Sequence, residues 1–232
     1  SAVKDGNIEA FNQIFESDEA QAEIERYGNY ILCLSILSGN LAIISKLLEC
    51  KKIQACIAED ANVALCWSAR IGRVDILNLL LTLQIVQEKI AENDNAALQL
   101  AVEENYITIF NRLLEFDVVK HGIAKSNDSI LRIAVMRGRI DMVRRLLNFN
   151  AVQENVCVNA GYFSGLAYQN NHVDVADYLL QYEKQTYTTL TFTQTKSSSS
   201  SAPKSVLESE FENLTLDASN ESSSSNALRK KF

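Results

Sequence analysis

Six helix-breaking residues recur without slippage: Gly6, Gly39, Gly72, Asn105, Gly138 and Asn171 stand 33 residues apart, each from the next. Glycine and asparagine take positive φ most readily, and many helices end in that conformation. A breaker repeated at a fixed interval marks a repeat protein, in which each unit buries its apolar face only against its neighbours.

The same period orders the residues before each breaker. Four positions earlier a small side chain stands in every copy, at Ala2, Ser35, Ser68, Ala101, Ala134 and Ala167, which lets adjacent helices approach closely. Seven positions earlier come Leu32, Leu65, Leu98 and Leu131, with Ser164 as the exception. Ten positions earlier stand Asn29, Asn62, Asn95 and Asp128, then Gly161. Asn and Asp at that place are expected to accept a backbone N–H and open a first helix of about nine residues.

A second helix follows each breaker. Two positions on are Ile8, Leu41, Val74, Ile107, Ile140 and Val173. Further along come Ile43, Ile76, Ile109, Met142 and Val175, then the pairs Ile14-Phe15, Leu47-Leu48, Leu80-Leu81, Leu113-Leu114, Leu146-Leu147 and Leu179-Leu180. Together they predict one apolar helix face. Glu9, Asp75, Asp141 and Asp174 fall in the first turn, where the helix dipole favours negative charge.

A helix–turn–helix of this period, with Leu-x-x-Ala and a glycine before the turn and Val/Ile then Leu-Leu after it, resembles the ankyrin repeat. The resemblance covers residues 1–183 and implies an all-α, ankyrin-like solenoid of about six repeats. Two departures stand out. Where the family has Thr-Pro-Leu-His, this chain reads "YILC", "VALC", "AALQ" and "SILR". Where the family has a β-hairpin, it carries "KKIQACIAEDAN", "QIVQEKIAENDN" and "DVVKHGIAKSND". Ile53/Ile57, Val86/Ile90, Val119/Ile123 and Val152/Val156 are one helical turn apart, so these connectors are expected to form helical turns or compact loops. In this respect the chain resembles ankyrin repeats of type IV secreted effectors, which intracellular bacteria inject into host cells.

Residues 184–232 read as a flexible, Thr/Ser-rich tail. Within it "TYTTLTFTQT" (186–195) is rich in β-branched residues and suits either an extended segment or a flexible linker. The serine runs beyond it predict disorder, because such a chain buries too little to offset its ordering entropy. Leu207, Phe211 and Leu214 align on one helical face, consistent with a docking motif that folds on binding or with solvated linker. Acidic "ESEFE", the serines and the final "RKKF" resemble C-terminal secretion signals of type IV effectors.

The formal charge of −7 argues against nucleic acid or an anionic membrane as partner. No apolar run approaches the roughly 20 residues of a membrane span, so no membrane insertion is expected. Five cysteines without metal-site spacing point to reduced thiols in a cytoplasmic protein. The first repeat starts mid-helix, from which further residues are expected upstream.

No residues converge on a reaction. His121 and His172 have no cysteine or carboxylate at ligand spacing, and no phosphate loop or nucleophile elbow is present. The expectation is of no enzyme, no cofactor and no metal. Trp67, the only tryptophan, shares its column with Leu34, Leu100, Ile133 and Leu166; it reads either as packing or as a binding hot spot. The columns just before the breaker hold Arg70, Ile71, Glu103, Glu104, Met136, Arg137 and Gln169, and just after it stand Tyr106 and Arg139. In the family, first helices line the concave face, so these residues form a protein-binding surface or else solvated helix ends. The resemblance implies a monomeric protein-interaction module, with a host protein as partner if the chain is secreted into host cytosol. The alternative is a targeting or substrate-recognition domain of an enzyme whose catalytic part lies elsewhere.

Overall fold

The computed structural model describes residue 2, residues 7–125, 129–159 and 161–197, with side chains described at all of these except 61, 124, 125 and 187–197. Gly6, Asp128 and the tail beyond 197, including Leu207, Phe211, Leu214 and the secretion-like elements, lie outside the described residues. Among the described residues there are fifteen α-helices and no strand. They fall into two compact units, Ser1–Lys125 and Ser126–Phe232.

The first unit holds α1 (Ile8–Phe15), α2 (Asp18–Ser38), α3 (Leu41–Glu49), α4 (Lys51–Glu59), α5 (Ala61–Arg70), α6 (Val74–Leu80), α7 (Gln84–Glu88), α8 (Glu92–Glu103), α9 (Ile107–Leu113) and α10 (Asp117–Lys125). Tyr27, at φ −130° and ψ 25°, kinks α2 into the end of one repeat and the first helix of the next. First helices pack on first helices (α2 on α5, α5 on α8), and second helices on second helices (α3 on α6, α6 on α9). The second unit repeats the scheme with α11 (Ser129–Met136), α12 (Ile140–Leu146), α13 (Asn150–Val158), α14 (Tyr162–Gln169) and α15 (Val173–Ser197); there α11 packs on α14 and α12 on α15.

The connectors are helices in their own right: α4, α7, α10 and α13. Their paired side chains explain why. Ile53, Ile57, Val86, Ile90, Val119, Ile123, Val152 and Val156 are all buried, so one turn of helix places two apolar groups on the same inward side. Each such side chain contributes roughly 1.5–3 kcal/mol on burial. Three helices per repeat, with no hairpin, follow from that pairing.

The breakers behave as the period requires. Gly39, Gly72, Asn105, Gly138 and Asn171 all have positive φ, between 64° and 75°. The residue after each of the last four donates its N–H back to the small-residue column: Arg73 to Ser68, Tyr106 to Ala101, Arg139 to Ala134 and His172 to Ala167, at 2.8–3.1 Å. This is the six-to-one bond that satisfies an otherwise orphaned helix carbonyl. Ser35, Ser68, Ala101, Ala134 and Ala167 are fully buried, as close helix approach demands.

Gly72 shows a second requirement. A Cβ there would lie 2.4 Å from the Tyr106 ring, one repeat on. Arg73 covers Gly39 and His172 covers Gly138 in the same way. The glycine thus ends its own helix and seats a side chain of the next repeat.

Two expectations need correction. The column of Ile8, Leu41, Val74, Ile107, Ile140 and Val173 is half-buried or exposed; Val173 is 54 % exposed. It lies in the first turn, at the rim of the apolar face, where the neighbouring helix no longer covers it. The Asn column also does different work. The N-caps of α5 and α8 are Asp60 and Ala91, and neither makes a side-chain cap bond. Instead the Asn amides reach the connectors: Asn29 donates to Cys56 O at 3.2 Å, Asn62 to Glu92 O at 2.8 Å and Asn95 to Val119 O at 3.3 Å. Asn62 and Asn95 are buried, so their amides satisfy main-chain carbonyls that water does not reach. Capping does occur at the second helices, where Asn7 and Asn40 accept N–H groups of α1 and α3.

Residues 186–195 depart from the extended or linker reading as well, because α15 runs unbroken from Val173 to Ser197.

Candidate functional site

The first unit gathers two of the singled-out residues around one hollow. Trp67 lies half-buried on α5, and the Arg70 guanidinium sits 5.9 Å from the centre of its ring. Both line a cavity of about 250 Å³ between α5 and α8. From α5 come also Asn62, Val63 and Cys66, which with Trp67 and Arg70 share one helical face; α8 contributes Asn93 and Leu100.

The floor of this cavity is chemically quiet. The Asn62 amide donates to Glu92 O, and its oxygen receives the Cys66 thiol at 3.4 Å. Burial first, and then the nearby Asp60 carboxylate, push the Cys66 thiol up to about 11, so it is not a nucleophile at neutral pH. Cys33, its equivalent one repeat earlier, is raised to about 11 by the same causes, and all five cysteines are free thiols. The upper edge is formed by an unusual backbone turn. Asn93, Asp94 and Asn95 all lie in the left-handed region, a conformation that Asn and Asp tolerate better than other non-glycine residues.

The remaining singled-out residues divide by location. Ile71 is the half-buried C-cap of α5, while Glu103 and Glu104 close α8, the first half-buried and the second exposed. Tyr106 is half-buried against Gly72, so its packing between repeats limits what a partner can reach. In the second unit Met136, Arg137 and Gln169 are exposed at the ends of α11 and α14, and Arg139 is half-buried at the start of α12.

Sequence reasoning did not pick out Val63, Cys66, Asn93 or Leu100 as a group. The helical spacing of Asn62, Cys66 and Arg70 carried part of the signal; the approach of α8 carried the rest. It also missed two exposed aromatics of the first-helix face, Tyr30 at 65 % and Tyr162 at 47 %.

The histidines have structural partners. His172 Nε2 lies 3.0 Å from Met136 O, and His121 Nδ1 lies 2.7 Å from Asp117 O; a carbonyl only accepts, so each of these nitrogens carries the proton. Among the described residues no group of three or more His, Cys, Asp and Glu is placed to hold a metal ion, and no helix is long and apolar enough to cross a membrane.

Residues 98–191 match the family model for ankyrin repeats (3 copies), a span that opens on the Leu98 column and runs into α15. No curated protein and no solved structure matches the chain. The repeated Leu-x-x-Ala and Leu-Leu columns, their burial, the left-handed breakers and this match agree, and the chain carries ankyrin repeats.

Proposed function

We propose that this chain binds a protein partner through the exposed face of its first helices, the face that is concave in ankyrin stacks. Ankyrin repeats are in general protein-interaction modules rather than catalysts. The observation that carries the reading is a repeated exposure of large apolar side chains. Tyr30 and Tyr162 stand nine positions before a breaker and are 65 % and 47 % exposed; Leu37 and Met136 stand two before it and are 50 % and 42 % exposed. Buried columns satisfy the fold, so apolar groups left exposed at recurring positions on the first helices of each unit favour a partner. Arg70, two before its breaker, and Arg137, one before its own, add charged anchors, a residue type favoured at binding hot spots. The net charge of −7 favours a protein over a polyanion.

The test is affinity capture from cell lysate with the intact chain and with Arg70→Glu/Arg137→Glu, two exposed changes that leave the core untouched. A partner retained by the former and lost by the latter is expected. Equal capture by both chains would count against this face.

The chain acts as a monomer in this reading, and its setting is the cytosol of a host cell after secretion. The second proposal rests on the resemblance of the connectors and of the "ESEFE" and "RKKF" tail to effector proteins. Removal of residues 198–232 is expected to abolish translocation and leave thermal unfolding unchanged. Translocation without those residues would remove the secretion reading.

A further inference from the structure

We infer that the cavity between α5 and α8 takes one large apolar side chain of a partner peptide, with a carboxylate of the same segment pairing with Arg70. This deepens the protein-binding reading and depends on it.

The volume sets the class of occupant. About 250 Å³ is smaller than the roughly 300–1,000 Å³ of sites that enclose cofactors or drug-sized ligands. It suits a single anchor side chain. The walls set the polarity. Val63, Leu100 and the Trp67 ring are apolar, while the Asn62 amide, its oxygen and the Cys66 thiol already bond one another or the Glu92 carbonyl. A polar anchor would lose water among these walls, with only Asn93 and Arg70 at the exposed edge left to replace it, whereas an apolar one loses nothing.

The rim sets the charge. Arg70 is exposed at the end of α5, over the Trp67 ring, and among the described residues it forms no ion pair. The contrast with Arg73 is informative: that residue is held by two hydrogen bonds to Asp75 and one to Gly39 O. Arg70 is left able to form a bidentate contact with a carboxylate. Asp60, the N-cap of α5 ten residues earlier and about 15 Å from Arg70 along the chain, does not line the cavity, but its carboxylate lies close enough to act on the Cys66 thiol that does. A segment with several acidic groups would be repelled there, so the recognised peptide carries its carboxylate on the Arg70 side only. A lone guanidinium also offers a nucleic-acid strand only one phosphate contact, too few to hold it.

Because Trp67 is the only tryptophan, its fluorescence reports directly on this cavity. The experiment pans a random-peptide phage library on the intact chain, then titrates synthetic peptides from the enriched clones while following Trp67 emission. Enriched sequences are expected to carry Phe, Leu or Met within three residues of Asp or Glu, and binding should shift the emission. Replacing that acidic residue by its amide should weaken binding at least tenfold on the native chain. Arg70→Gln should remove this preference and leave the melting curve unchanged, as its exposure predicts. Enrichment of peptides without an acidic residue, a preference that survives in Arg70→Gln, unchanged emission on binding, or no enrichment at all would each overturn the assignment. If peptides fail while a partner is still captured by the native chain and lost by the double arginine variant, the cavity assignment falls and the interaction face stands.

Discussion

Glu183 should make the second unit lose stability as pH rises. It projects from α15 and is 2 % exposed. Its Oε2 accepts the Gly161 N–H at 3.1 Å, at the place in the repeat where earlier copies carry Asn. Its Oε1 meets no hydrogen-bond donor among the described residues. Burial therefore pushes the carboxyl up to about 7 from an ordinary 4.5, with the Gly161 N–H pulling weakly the other way. Burial first, and then this same carboxylate, raise the Cys157 thiol on α13. Since the folded value lies above the unfolded one, the folded state binds the proton more tightly. Its stabilising effect is complete below about pH 4.5, falls between that value and about 7, and is lost above it. The difference, 7 − 4.5, is about 2.5 pH units, which at about 1.36 kcal/mol each comes to about 3 kcal/mol.

The assay is thermal unfolding followed by circular dichroism at several pH values, for the native chain and for Glu183→Gln. The substitution keeps an oxygen for Gly161 and removes the charge, so subtracting the two curves cancels every other titrating group. The native chain should lose about 3 kcal/mol relative to the variant between pH 4.5 and 7.5, equivalent to about 6–12 °C in midpoint. Parallel curves across that window would refute the reasoning, and a native chain that gained stability with pH would reverse its sign.

Three further changes probe the stack itself. Ala134→Arg places a charged side chain where the native residue is fully buried, and should cost about 3 kcal/mol or more; an unchanged melting temperature would dismiss the role of the small-residue column. Gly72→Ala should cost about 1–2 kcal/mol for its positive φ, plus a contact penalty against Tyr106, and adding Tyr106→Ala should relieve the contact part only. Full additivity of the two would show that the ring does not rest on the glycine. Asn62→Ala should cost about 1–3 kcal/mol by stranding the Glu92 carbonyl, measured by urea denaturation; an unchanged urea midpoint would show that the amide does not join the repeats.

Much of this architecture was legible because burial and breaker positions recur with the repeat. The Leu47-Leu48, Leu80-Leu81, Leu113-Leu114 and Leu146-Leu147 pairs announce a buried helix face, and all eight side chains are buried. The pairs Ile53/Ile57 and Val86/Ile90 pointed to helical turns or compact loops in place of hairpins for the same reason. What stayed hidden depends on contacts between repeats. An Asn ten residues before a breaker looks like a helix cap, yet at Asn62 the nearest unsatisfied group is a carbonyl of the next repeat, and the amide goes there. Glu183 sits in the polar string "QYEKQ", where nothing marks one carboxylate as buried; only the packing of α15 beside Gly161 does so. Trp67 and Arg70 were recognisable from their columns, but the cavity they share needed Leu100 and Asn93 from another helix.

Photo-cross-linking to a captured partner tests the central claim most directly. A photoreactive phenylalanine analogue is placed in turn at Leu37, Arg70, Met136 and Gln169 on the first-helix face, and at Asn78, Arg144 and Asp177 on exposed second-helix positions. Covalent adducts are predicted from the first set and not from the second. Adducts that form from the second-helix positions, with the first-helix set silent, would contradict the assignment of the binding face.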